Sequence, residues 1–283
     1  MKLCYFDDNR FGVIESDAVR DVTSVLERLP AYRSPLPCYD PVIAHLDELM
    51  PAIREAASKA PTKPVSTVRF LSPVANAGKV VGAPVNYRAH FDEAAADPAT
   101  FAAAQVRKIQ ETGLFLKASS SIVGTSQGVT IRFPERRSDH EIELVAVIGK
   151  PGTNIKEDDA LDYIAGYTIG LDMTVRGPEE RSLRKSIDSY TVLGPWMVTA
   201  DEFGSPDDVE LSLAVNGELR QRSRTSALIL SVRQLMAFAS SYYTLQPGDI
   251  LMTGTPEGVG PVRPGDVMTI EIERIGSAKV LVR

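Results

Sequence analysis

The chain has 283 residues, 43% of them apolar and 24% charged, a composition that suits a globular protein of one large domain or of a large and a small one. A net charge of −6 argues against a nucleic-acid or anionic-membrane surface, and no run of about 18 apolar residues offers a membrane-spanning helix. Cys4 and Cys38 are too few for a disulfide framework or a multi-thiolate zinc site, so a reducing cytoplasm is the expected setting.

In chain order, residues 1–70 read as a small N-terminal domain. The opening MKLCYFDDNRFGVIE is strand, turn and strand around DDNR, without the apolar core of a secretion signal. DPVIAHLDELMPAIREAASK reads as helical and APTKPVSTV as a linker. Residues 71–283 form the larger domain. GKVVGAPVNYRAHFDEAAAD is a strand running into a short Ala-rich helix, and TGLFLKASSSIVGTSQGVTI holds two strand-like pieces. HEIELVAVIGK is a strand, and KEDDALDYIAGYTIGLDMTV is a short acidic helix followed by a buried strand. The last third reads as strands and turns, with PGD at 247–249 and 264–266 each predicting a type II turn before an apolar alternating run. Strands outnumber helices and the βαβ rhythm of a doubly wound sheet is missing, so the fold class is α+β and β-rich.

The chemistry concentrates in SDHEIELVAVIGK (138–150). Strand alternation puts Glu141 and Glu143 on one face with Val145 and Val147. Two like charges side by side need water, a cationic side chain or a metal to offset them. For E-x-E alone, a solvated strand end is the competing reading. AGYTIGLDMTV (165–175) adds Asp172, a lone acid in an apolar run, and such an acid is costly unless paired or metal-bound. Three carboxylates without cysteine suit Mg²⁺, Mn²⁺ or Ca²⁺ rather than zinc, and leave coordination positions for water and substrate.

Of the three histidines, His90 stands three residues before Glu93 on the predicted helix, where a carboxylate can fix the imidazole tautomer and raise its basicity. Surface pairing is the competing reading. His140 turns to the face opposite Glu141 and is expected at the surface or behind the site; His45 is expected to be structural. Lys117 ends the short strand FLK. Arg176, Arg181, Arg184 and Lys185 form either a solvated basic face or an electropositive rim for an anionic substrate. TGTPEGVG (253–260) lacks the GK[ST] of a phosphate loop, but its backbone N–H groups and the Thr255 hydroxyl could meet a carboxylate. The polar, Ala-rich stretch over 88–104 is expected to act as a lid.

These pieces together, VNYRAHFDE, FLK, HEIELVAVIGK, GYTIGLDMTVR, RKSIDSYTVLGPWMVT, VNGELRQ, LQPGDILMTGTPEGVG and PGDVMTIEIE, resemble the fumarylacetoacetate hydrolase family in motif and in order, over residues 80–273. The resemblance implies a mixed β-sandwich roll with a small N-terminal α/β domain, usually a homodimer. It implies metal ligation by Glu141, Glu143 and Asp172, and a water-activating dyad of His90 and Glu93. It further implies catalytic roles for Lys117 and Lys185, and substrate contacts from Arg176, residue 179 and Thr255. The implied activity is divalent-metal-dependent cleavage of a C–C bond in a 1,3-dioxo acid of the acylpyruvate type, within aromatic catabolism. Decarboxylation or isomerisation of a related 2-oxo acid, or metal binding without catalysis, are the alternatives. Two positions depart from the family pattern: Glu179 stands where Gln is usual, and Ala118 follows Lys117 where Pro is usual. An acid at 179 either faces the substrate and alters specificity, or pairs with Arg176 or Arg181 outside the pocket.

Overall fold

The structure is a computed structural model and describes residues 1–97 and 107–283. Its centre is an eleven-stranded sheet. Neighbour to neighbour it runs Thr62–Pro64, Ala18–Asp21, Arg10–Glu15, Lys2–Phe6, Thr191–Thr199, Ile164–Asp172, Ile142–Ile148, Ile250–Met252, Val80–Gly82 and Phe115–Lys117. Ile122–Gly124 pairs in parallel with the first residues of Thr191–Thr199. A second sheet, Glu218–Arg224, Glu210–Val215, Val267–Ile272 and Gly276–Leu281, is antiparallel throughout. Three short strands, Thr174–Val175, Ser138–His140 and Gly260–Pro261, make a third sheet.

Ile142–Ile148 is buried along its whole length, and its alternate residues serve different cores. Ile142, Leu144, Ala146 and Ile148 join Leu211, Leu213, Met268 and Ile270 of the second sheet. Val145 and Val147 join Leu3, Tyr5, Leu49 and Ile53 of the first 70 residues. Burial on both faces explains why the strand reads as a continuous apolar run.

The hairpin around DDNR forms Lys2–Phe6 and Arg10–Glu15 as expected, but its sheet does not stop there. Leu3 pairs with Met197, so the N-terminal strands extend the large sheet edge to edge. The stretch that reads as a linker contributes the edge strand Thr62–Pro64. The helix Leu46–Lys59 lays Leu46, Leu49, Ala52, Ile53 and Ala57 against the core, and begins with Asp47 and Glu48 where the helix dipole favours acids. Asp40 caps the short helix before it, Pro41–Ala44, by accepting bonds from Val42 N and Ile43 N, with proline at the first turn.

Both PGD turns carry glycine at positive φ, Gly248 at 85° and Gly265 at 98°, each just ahead of a strand. The last third also holds a helix the sequence reading does not foresee, Val232–Tyr242, closed by a reciprocal Ser231/Gln234 cap.

Candidate active site

Glu141 falls at the break between two sheets. Ser138–His140 belongs to the three-stranded sheet and Ile142–Ile148 to the large one. The next strand sets the register: Gly170 lies opposite Glu143, and Asp172 N donates to Glu141 O at 2.9 Å. Residues two apart share a face, so Glu141, Glu143 and Asp172 converge from two neighbouring strands. Each presents one carboxylate oxygen within 4.8 Å of the others, and all three residues are buried.

Cations meet these acids. Lys185 Nζ donates to Glu141 Oε2 at 2.7 Å, Asp172 Oδ2 at 2.6 Å and Thr174 Oγ1 at 2.7 Å, which accounts for its three hydrogens. Lys117 Nζ, fully buried, donates to Asp172 Oδ1 at 2.5 Å and to Tyr190 O at 2.8 Å. Arg176 donates through Nε to Asp139 at 2.7 Å and through Nη2 to Glu141 Oε1 at 2.9 Å. The environments of the two glutamates therefore differ. Burial alone would raise the Glu141 carboxyl, yet Lys185 and Arg176 beside it hold it well below the usual range. Burial pushes the Glu143 carboxyl well above that range, and the neighbouring Asp172 adds to the push. Gly254 N, at 2.7 Å, supports Glu143 against it.

This difference tests whether the residues fit a metal. A buried carboxylate driven toward its neutral form, beside two more acids offering oxygen donors, suits a hard divalent cation, which would favour the charged form. Among the described residues this is the one group of three potential ligands so placed.

The same cavity, about 40 Å³, is lined by His90, Phe115, Arg176, Arg181 and Thr255 as well as the acids. His90 lies on the helix Arg88–Ala96, buried, with Nδ1 at 2.9 Å from Glu93 Oε2. A carboxylate only accepts there, so Nδ1 carries the hydrogen and Nε2 is the basic nitrogen. Glu93 is held in turn by Gly258 N, at 2.9 Å to Oε1, which ties the helix to TGTPEGVG. Gly258 has φ of 87°, and a Cβ there would collide with Arg220 O, so glycine is required. The stretch expected to act as a lid includes a described helix, Arg88–Ala96, that carries His90; residues 98–104 of that stretch lie outside the described residues.

Two sequence expectations meet a different environment, and for His140 the structure selects a place behind the site over the surface. Glu179 does not line the cavity, because Arg136 holds its carboxylate through Nη1 at 3.1 Å and Nη2 at 2.7 Å; neither Arg176 nor Arg181 is that partner. Lys117 lies behind Asp172 rather than on the cavity wall. His140 is buried, with Nδ1 at 3.0 Å from Gln221 Oε1, which removes it from the surface. His45, expected to be structural, lies between Tyr32 and Glu48.

The sequence profile described as fumarylacetoacetate (FAA) hydrolase C-terminal matches residues 79–283. The chain belongs to the fumarylacetoacetate hydrolase family. It is 54% identical to a maleylpyruvate hydrolase of Aquipseudomonas alcaligenes over 100% of this chain and 99% of that one. It is 37% identical to a mitochondrial oxaloacetate tautomerase of Rattus norvegicus over 80% of this chain and 72% of the other. The crystal structure of maleylpyruvate hydrolase from Sphingobium sp. SYK-6, in complex with manganese(II) and pyruvate, matches with a TM-score of 0.85 at 35% identity, covering 100% of this chain and 98% of that one.

Residues outside the family motifs' obvious acids and bases hold this hydrolase site together. Gln221 accepts from Ile142 N and donates to Thr255 Oγ1 and Pro256 O, both at 2.8 Å, so it links the metal-site strand to the TGTPEGVG loop. Asn86 donates to Leu230 O and Thr253 O at 2.9 Å and accepts from Leu230 N. Asp139, buried, joins Arg137 and Arg176. Gln221 closes the motif VNGELRQ, between Arg220 and Arg222; nothing local marks Asn86 or Asp139 as network residues.

Proposed function

We propose that the protein hydrolyses an acylpyruvate of the maleylpyruvate type, with Glu141, Glu143 and Asp172 holding Mg²⁺ or Mn²⁺. The observation that carries this reading is the convergence of the His90–Glu93 pair and the three acids on one cavity. The full-length identity to a maleylpyruvate hydrolase supports the substrate class. When bound, the cation supplies Lewis-acid polarisation and neutralises negative charge on the 2-oxo acid.

The chain's own groups do the following. His90 Nε2 takes a proton from water, and Glu93 stabilises the resulting imidazolium at Nδ1. The hydroxide adds to the acyl carbonyl carbon, and its oxygen becomes an oxyanion that a cationic donor stabilises. Lys185 is that donor, and serving the oxyanion requires it to give up one of its three protein acceptors. The bond from the acyl carbon to the pyruvate methylene then breaks, and its electron pair leaves as the pyruvate enolate. A proton returned from the imidazolium gives pyruvate and a carboxylic acid. Arg176 and the Thr255 hydroxyl face the substrate across the cavity, while Lys117 holds Asp172 in place.

The helix Arg88–Ala96 places His90 on the wall of this small cavity, and we infer that it yields as substrate enters. We take the protein to be a cytoplasmic homodimer. Exposed Leu183, and exposed Leu116 on the edge strand Phe115–Lys117, supply apolar surface for pairing, which light scattering tests. The decisive assay follows loss of enol absorbance and release of pyruvate from maleylpyruvate with Mg²⁺ or Mn²⁺. One pyruvate per substrate consumed is expected. Substrate loss without pyruvate, or no turnover with either ion, would overturn the reading.

A further inference from the structure

Resting on that reading, we propose that Arg181 sets the substrate class of the site by binding the distal carboxylate of a dicarboxylic acylpyruvate. Four cations line the cavity against three acids: Arg176, Arg181, Arg184 and Lys185. Behind the wall, Lys117 and Arg137 add two positive charges, and Glu93 and Asp139 add two negative ones. The wall therefore carries an excess of positive charge before any metal is added, and a doubly charged substrate offsets more of it than a singly charged one.

The cations differ in what they hold. Lys185 and Arg176 grip the metal-site acids. Arg184 is buried, and donates through Nε to Glu179 O at 2.9 Å and through Nη1 to Val175 O at 3.4 Å. Those carbonyls bracket the turn before the helix Arg181–Lys185, so Arg184 fixes the turn that presents Arg181.

Arg181 opens that helix on the cavity wall, with its guanidinium carbon 5.7 Å from the centroid of the Phe115 ring. An aromatic face fixes a guanidinium in place while its N–H donors, which lie in its own plane, keep the fork geometry that matches a carboxylate. Burial pushes the Arg181 guanidinium below its ordinary value despite the attraction of Glu141 and Asp172, and a substrate carboxylate beside it would favour its charged form. Glu179, which could have competed as an acid in the same segment, is turned onto Arg136.

The test has two arms. In the first, kcat/KM is measured for maleylpyruvate and for acetylpyruvate, which lacks the distal carboxylate, with wild type and Arg181→Gln. The ratio of the two values is expected to fall roughly 10- to 100-fold, the range for a charged hydrogen-bonded pair. A ratio within threefold of wild type would overturn the proposal, whether both activities drop together or neither does. In the second arm, calorimetry on Mn²⁺-loaded protein compares maleate with isocrotonate, its cis monocarboxylate counterpart. Wild type is expected to prefer maleate, Arg181→Gln to lose that preference, and Arg181→Lys to keep part of it. A maleate preference that survives Arg181→Gln, or is absent from wild type, overturns the proposal. If wild type turns over neither acylpyruvate, the hydrolase reading falls, and the binding arm still decides the role of Arg181.

Discussion

The two strands that carry the acids and the loop that carries the cations build one site by different means. Glu141, Glu143 and Asp172 are placed by sheet register, since alternation and one backbone bond from Asp172 N to Glu141 O bring them together. Residues 176–185 are placed by side-chain contacts with distant segments: Arg176 with Asp139, Glu179 with Arg136, Lys185 with Glu141. Register is backbone pairing that does not depend on side-chain partners, whereas the loop's contacts are made side chain to side chain, across 11 to 44 residues. The strand acids should therefore tolerate change least, and the loop should divide into residues that matter and residues that do not.

The strand half of this contrast breaks most visibly on metal removal. Chelation with EDTA should abolish turnover, and Mg²⁺ or Mn²⁺ should restore it. Glu143→Ala removes one of three ligands and should weaken Mn²⁺ binding by about 10²-fold or more, beyond the 10- to 100-fold typical of outer-shell changes. Calorimetric titration with Mn²⁺ checks this, and wild-type affinity in the variant would remove Glu143 from the ligand set.

His90 belongs to neither half, being carried by the helix Arg88–Ala96. His90→Ala should lower kcat by about 10²- to 10⁴-fold, the contribution of a general base. Mn²⁺ affinity should persist, because His90 is not among the three clustered acids that could hold the ion. Loss of metal binding together with kcat would make His90 a ligand rather than a base; unchanged kcat would remove it from the mechanism.

Glu141 and Glu143 were readable in the sequence because a two-residue period is enough to place them together, Asp172 because a lone acid stands out in an apolar run, and His90 with Glu93 because i,i+3 on a helix is local. The family motifs supplied the order of the pieces. What sequence could not supply is whatever depends on distant partners. Gln221 meets Thr255 across 34 residues, and Asp40 meets Asn76 N across 36. The edge pairing of Lys2–Phe6 with Thr191–Thr199 joins residues nearly 200 apart, so the first 70 residues read as separate when their strands in fact extend the central sheet. His140 was read by face alone. Alternation does turn it away from Glu141, but the second sheet covers that face and Gln221 meets it there.

Asp139 sharpens the loop half. It is buried and joins Arg176, itself tied to Glu141, to the three-stranded sheet. Asp139→Asn keeps the shape but leaves the Arg176 guanidinium short of one charged partner. Removing one member of a buried pair costs about 3 kcal/mol or more, and the remaining bond to Glu141 keeps the loss near the lower end. Urea unfolding of the chelated variant measures this, and kcat should fall less than in His90→Ala. A variant as stable as wild type would mean that the pair of Asp139 with Arg176 adds nothing to stability.

Glu179 is the other side of the loop, where the smallest effect is expected. An acid at this position could repel an anionic substrate if it faced the cavity, and removing its charge would then lower KM for dicarboxylates. The structure turns it outward: Arg136 grips both carboxylate oxygens, and this partner holds the carboxyl below its usual range. The side chain is about a third exposed, so water screens what field reaches the substrate. Glu179→Gln should therefore change KM by less than about twofold, for dicarboxylate and monocarboxylate alike, a difference within the reach of an exposed pair. The backbone role of the residue, accepting from Arg184 Nε through its carbonyl, survives any side-chain change. Steady-state kinetics on maleylpyruvate and acetylpyruvate with Glu179→Gln decides the matter. A fall in KM confined to the dicarboxylate would show that Glu179 swings into the cavity during turnover, and that the loop's charge pattern is set by substrate rather than by Arg136.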